Sequence, residues 1–302
     1  MELRGLIPPV ITPFRNGRVD PESIERLVEH CASHLDGMVV AGSTGEGPSM
    51  TFAERTATIE HFSRAMRARL PLIVGVAETS LDVIRQLMRF GDEHGAVGYL
   101  VPLPFYFRHT AETIAAFFRE VSGYTDREII VYDNPYTTKT VLTAADYAAI
   151  AGLRPNIRHV KITDTTLGKV DAAKAGGDLI MLSGSDEVMQ QQVARGCRGT
   201  ITATPQVYPA ESRAWFDAAR AGDLSTSTRL FAGLLPFINE VMIGADDYPA
   251  VIKYGLRRRG VIVSDEVRAP LAPLSAMRRR ILDSVMAVVG TEPTPGAMRR
   301  AE

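Results

Sequence analysis

The sequence predicts a (β/α)8 barrel of the TIM type followed by a C-terminal all-helical extension. Three observations carry this expectation. Eight short β-branched runs alternate with amphipathic stretches along most of the chain. The runs are continuously apolar, as in parallel strands covered by helices, rather than alternating as in a half-solvated sheet. The strand signal stops near Gln206 while helical patterns continue.

The strand candidates are residues 5–12, 37–41, 72–76, 97–101, 129–132, 157–161, 179–183 and 199–202. Between them, residues 22–35, 53–68, 81–93, 111–121 and 187–194 repeat apolar side chains at spacings of three and four, the helical period. Eight such units close naturally into a barrel. An open doubly wound sheet is the competing architecture, but no GxGxxG turn follows the first strand. Residues 209–221, 224–243, 249–258 and 272–289 then read as helices. The expected organisation is a catalytic barrel at 1–222, a helical extension at 223–290 and a disordered tail at 291–302, where prolines and glycine recur.

Bulk properties narrow the function. The chain has 302 residues, 45% hydrophobic and 23% charged, with a net charge of -1. That balance lacks the basic face of a nucleic-acid binder. The arginine runs at 257–259 and 278–280 read as solvated helix faces. No apolar run reaches the ~18 residues of a membrane span. The N-terminus has no signal-peptide core, so a cytoplasmic enzyme with no membrane partner is expected. Cys31 and Cys197 are far apart and lack CxxC spacing, which argues against a disulfide framework or a zinc site. Of six histidines only His30 and His34 stand at i, i+4, with no HExxH context, so no metal is expected.

In a barrel, chemistry sits where strands end. The second strand runs into Gly42-Ser43-Thr44-Gly45-Glu46, whose backbone N–H groups can face a carboxylate; a bare βα turn explains it as well. The fifth ends in Tyr132, either a proton relay or a core cap. The sixth ends in Lys161. An amine drawn into a barrel mouth is favoured in its neutral form, which attacks carbonyls; an ion pair with Asp164 is the alternative. Only five lysines exist, and Lys139, Lys169, Lys174 and Lys253 read as loop or helix-surface residues. The seventh strand leads to Asp186 and Glu187, placed either to bind hydroxyls or to favour a helix N-terminus.

Together these segments resemble the dihydrodipicolinate synthase/N-acetylneuraminate lyase family over residues 3–275. Gly5, Pro9, Thr12, Pro13 and Phe14 match its opening G-x-x-x-P-x-x-T-P-F segment. Residues 42–46 match its G-[ST]-T-G-E loop. Residues 132–135 match Y-N-x-P with Asp133 in place of asparagine, and Lys161 follows at the expected distance. Gly196, Gly199, Ile201 and Thr202 match a later G-x-x-G-x-I-[ST] segment. Each motif is weak alone; their order and spacing are specific.

The resemblance implies that Lys161 forms an imine with pyruvate or a related 2-oxo acid, needing no other cofactor. It implies that Tyr132 shuttles protons. It implies that Ser43 and Thr44, on the turn begun by Gly42, hold the carboxylate, with Ile201 also at the substrate. Pro104-Phe105-Tyr106 resembles the family's P-Y-Y loop. Tyr106 would then complete a Thr44–Tyr132–Tyr106 relay in a neighbouring subunit, implying a homodimer or homotetramer. Synthases of the family carry an arginine where this chain has Thr137, and Lys139 is the nearest replacement. Thr163, Asp186 and Glu187 match the sugar-acid branch, whereas Ala203 replaces a serine of that pattern. The expected activity is aldol cleavage, condensation or dehydration of a 2-keto-3-deoxy sugar acid. The alternatives are 4-hydroxy-tetrahydrodipicolinate synthase, joining pyruvate to aspartate semialdehyde, and a non-catalytic 2-oxo-acid binder.

Overall fold

The computed structural model describes residues 2–243 and 247–289. The eight predicted runs supply the strands of one parallel sheet. These are β1 (Gly5–Leu6), β2 (Met38–Val40), β3 (Leu72–Gly75), β4 (Ala96–Pro102), β5 (Glu128–Asp133), β6 (Ile157–Ile162), β7 (Ile180–Ser183) and β8 (Gly199–Thr200). Neighbours follow chain order from β2 to β8, and β1 pairs with β8. A parallel bridge between Pro9 and Val39 joins the first segment to the second and completes the ring. The sheet is therefore a barrel, with helices between its strands.

The first strand is shorter than its apolar run. Pro8 and Pro9 have no N–H to give a ladder, so pairing reduces to residues 5–6 and the bridge. Gly5 adopts φ 88, and a Cβ there would meet Asp36 Oδ2 at 2.0 Å. That carboxylate accepts the Leu6 N–H at 2.7 Å. A hairpin of Phe14–Arg15 and Arg18–Val19 was not among the expected elements. Its Asn16-Gly17 turn has positive φ at both residues, the signature of a two-residue hairpin loop.

Helix ends also depart from the periodic pattern for local reasons. The first helix, Pro21–Cys31, stops before the expected residue 35. The second, Phe52–Met66, stops where Arg67 and Ala68 enter the left-handed region. The expected helix at 187–194 opens as a 3-10 turn, Asp186–Val188. The last, Ala276–Met286, begins only after Pro273, with Ser275 as its cap. Two further helices, Pro135–Thr138 and Ala144–Ala151, lie between β5 and β6. The second is Ala-rich with little amphipathic pattern, but Thr143 and Asp146 form a capping box around its start. Residues 291–302, expected as a disordered tail, lie outside the described residues. Among the described residues no helix is long and apolar enough to cross a membrane.

Side chains inside the ring form a small apolar cluster that includes Ile7, Val39, Ile73, Leu100, Ile130 and Leu182. A larger one fills the space between strands and helices and continues into the extension through Leu234, Phe237, Val251 and Leu282. At the N-terminal end of β6, His159 is fully buried and its Nε2 accepts the Leu3 N–H at 3.0 Å. Its Nδ1 faces Glu128 at 3.3 Å. Burial pushes this imidazole down to about 4, against the pull of Glu128. The unfolded chain, near 6.5, therefore binds the proton first, so stability present above pH 6.5 is lost as pH falls toward 4. Urea titrations should show about 2 kcal/mol less stability from this group at pH 5 than at pH 7. His159→Gln should lose that component; an equal decline in variant and wild type would refute the assignment.

Candidate active site

β5 and β6 bring the two central residues level with each other. In the parallel ladder Tyr132 pairs with Lys161, and Lys161 with Leu182. Ile130 and Tyr132 lie two residues apart, so both point into the ring. Tyr132 is thus both core cap and cavity wall. Lys161 Nζ lies 4.1 Å from the centre of the Tyr132 ring, and Lys161 is only 5% exposed. Among the described residues no ion pair joins Lys161 to Asp164, whose Oδ1 instead accepts the Thr166 N–H at 2.8 Å.

Both residues open onto a cavity of about 450 Å³ at the C-terminal end of the barrel. Thr44, Thr163, Asp186, Glu187 and Ile201 line the same cavity. Gly42 and Ser43 do not line it. They form the turn that delivers Thr44, and that turn is tightly fixed. Gly47 N–H donates to the Gly42 carbonyl at 3.0 Å. Thr12 Oγ1 donates to the Gly45 carbonyl at 2.7 Å, and Arg55 Nε to the Gly47 carbonyl at 2.6 Å. Gly75 of β3 approaches so closely that a Cβ would sit 2.5 Å from the Gly42 Cα. Tyr106 is also absent from the cavity; it is 72% exposed on the loop after β4.

Charge is distributed unevenly. Lys161 is the only cation among the lining residues, and Lys139 lies exposed outside them. Burial raises the Tyr132 phenol, but the Lys161 ammonium and the groups of Thr163 and Asn134 outweigh it, leaving the phenol below its usual range. Burial pushes the Asp186 carboxyl up, against the hydroxyls of Thr202 and Thr204. Asp186 Oδ2 accepts from Thr204 Oγ1 at 2.8 Å and from its N–H at 3.2 Å. This carboxylate is therefore tied to the β8 loop as well as facing the cavity.

Two lysines read as surface residues prove to be buried. Lys169 Nζ lies 2.9 Å from Asp133 Oδ2, which also accepts the Tyr147 hydroxyl. Burial raises the Asp133 carboxyl, opposed by Tyr147 and Lys169. Asp133 thus faces away from the cavity, and its departure from the family asparagine is matched by a cation behind the sheet. Lys253 is fully buried and paired with Glu46 of the Gly-rich turn.

Several wall residues escaped the strand-end rule. Asn134, Thr137 and Tyr136 follow Tyr132 directly, within the segment already singled out. Val241, Met242 and Tyr248 come from the helical extension, where no motif pointed to the site.

A buried amine thus stands beside a phenol at the mouth of a parallel barrel. The family model of the dihydrodipicolinate synthetase family matches residues 2–288. The chain is 31% identical to a 4-hydroxy-tetrahydrodipicolinate synthase of Phenylobacterium zucineum, over 91% of this chain and 94% of that one. It is 31% identical to the protein of that name from Ruegeria pomeroyi, over 95% and 99%. A crystal structure of dihydrodipicolinate synthase from Aquifex aeolicus superposes with a TM-score of 0.90 at 27% identity, covering 94% of this chain and 97% of the other. A prophage protein of the same family from E. coli K12, solved with pyruvate, gives 0.87 at 25% identity, covering 94% and 97%. The chain belongs to the dihydrodipicolinate synthetase family, and it is a lyase.

Proposed function

We propose that the chain holds pyruvate as an imine on Lys161 and joins it to an aldehyde, or runs the reverse cleavage. The observation that carries this is the Lys161 amine over the Tyr132 ring on the wall of the cavity. The amine adds to C2 of pyruvate, and the carbinolamine loses water to give the imine. The protonated imine withdraws electrons, so a C3 proton leaves and an enamine forms. C3 of the enamine attacks the aldehyde carbon, and the new alkoxide takes a proton. Tyr132 would carry these protons. Thr44 and the backbone of its turn would orient the pyruvate carboxylate. Tyr106, exposed on its loop, would enter a neighbouring subunit's cavity in a dimer or tetramer.

For the aldehyde, the shared name of the relatives favours aspartate semialdehyde, the alternative rather than the first sugar-acid reading. One observation supports a second reading. The lining carries Thr137 and no cation beyond Lys161 to hold a second carboxylate, and it offers Asp186 and Glu187 to hydroxyls. Pyruvate with borohydride should leave one adduct, mapped to Lys161 by peptide mass. Pyruvate consumption with aspartate semialdehyde, set against pyruvate release from 2-keto-3-deoxy acids, then separates the readings. Faster release from a sugar acid would overturn the synthase assignment, and no adduct would overturn the lysine one.

A further inference from the structure

We propose that Asn134 is a positioning residue for the Tyr132 proton shuttle, its side-chain amide donating to the phenol oxygen and fixing where the phenol's proton can go. The inference rests on the imine reading above. Asn134 Nδ2 lies 3.1 Å from the Tyr132 oxygen, and Asn134 is only 7% exposed on the cavity wall.

Two further observations separate this contact from an incidental one. Asn134 stands at the N-cap of Pro135–Thr138, where an asparagine side chain ordinarily accepts a backbone N–H of the first turn. Here it makes no such bond. Only its backbone carbonyl serves the helix, accepting the Thr138 N–H at 3.0 Å. The side chain is thereby released toward Tyr132. Second, its Oδ1 is buried without a hydrogen-bond partner. A buried amide satisfied on one side only is unfavourable unless something else completes it, and Asn134 lines the cavity.

A phenol oxygen that accepts from an amide favours the phenolate. The charged groups that face Tyr132 are Lys161 on β6, directly over its ring, and Asp186 and Glu187 across the cavity. Asp133 is its neighbour in sequence but is engaged with Lys169 and Tyr147 behind the sheet. Asn134 and Thr163 are the neutral groups that act on its oxygen.

Exchange of the pyruvate methyl protons with deuterium tests the inference without knowing the aldehyde, because it needs only imine formation and proton transfer at C3. Proton NMR of pyruvate in D2O, followed across pD, reads its rate. Asn134→Leu keeps the side-chain bulk and removes the amide; Asn134→Ala repeats the test without added bulk should leucine prevent folding. Borohydride trapping of pyruvate on Lys161 should still go to completion, though more slowly than in wild type. Maximal exchange should fall about tenfold, and the rising limb of the profile should move up by about one unit. Asn134→Gln, which retains an amide, should recover part of the rate. Wild-type exchange and an unmoved limb in leucine and alanine variants that still trap pyruvate would overturn the inference alone. A limb displaced downward would also overturn it, since the amide would then be accepting from the phenol. Failure of wild type itself to trap pyruvate would overturn the imine reading and this one with it.

Discussion

Lys161→Ala is expected to leave no borohydride-trapped pyruvate on the protein and to lower turnover on the order of 10⁴-fold or more. The size of the loss follows from what the amine supplies. Without a covalent imine there is no electron sink, and an enamine cannot form from a ketone merely held nearby. Thermal melting should stay close to wild type, because Lys161 faces a phenol ring whereas Lys169 and Lys253 each pair with a buried carboxylate. Those two amines are the internal control. Both are buried away from the cavity lining, so the adduct should not migrate to them. Trapping of equal extent in variant and wild type would remove Lys161 from the chemistry.

Lys253→Met is expected to cost about 3–5 kcal/mol and to lower Tm by roughly 10 °C. The ammonium of Lys253 pairs with Glu46, donates to the Glu266 carbonyl at 2.7 Å and lies 4.2 Å from the Phe14 ring centre. Glu46 Oε2 accepts the Arg268 N–H at 2.6 Å. Removing the lysine leaves a buried carboxylate with its main counter-charge gone. Adding Glu46→Gln should recover much of the loss, since the penalty belongs to the orphaned charge rather than to the missing contact. Burial also pushes the lysine down to about 8 from 10.5, against the pull of Glu46. Between those values the unfolded chain binds the proton and the native one releases it, so native stability from this group rises with pH across that window. Calorimetry should find this rise in wild type and not in Lys253→Met. A variant that melts within about 2 °C of wild type would mean that the pair contributes little.

The barrel was legible because its strands are buried on both faces and so read as unbroken apolar runs. Their ends were less so. Pro8 and Pro9 belong to an apolar run but withhold the N–H groups that would extend β1. Asn16-Gly17 signalled a hairpin that went unread because its strands are only two residues each. In the site, Lys161, Tyr132, Thr44, Asp186 and Glu187 stand at strand ends, Thr163 and Ile201 came only with the family resemblance, and all of them line one cavity. Lys253 was not. It precedes Arg257, Arg258 and Arg259 on a helix that reads as basic and solvated, and its partner lies far upstream on the Gly-rich turn. Charge pairing across such a separation leaves no local trace. Asn134 carried an ordinary capping residue's identity, and only coordinates reveal that its side chain turns from the helix to the phenol.

The cavity wall formed by Val241, Met242 and Tyr248 has a practical corollary for anyone seeking a smaller catalyst. Cutting the chain after residue 222 would keep every strand and every group assigned to the imine step. It would also remove one side of the reaction chamber and strip Glu46 of its cation. The ring of strands is therefore not a detachable module: trimming it to its geometric minimum would open the cavity to bulk water and loosen the Gly-rich turn at its edge.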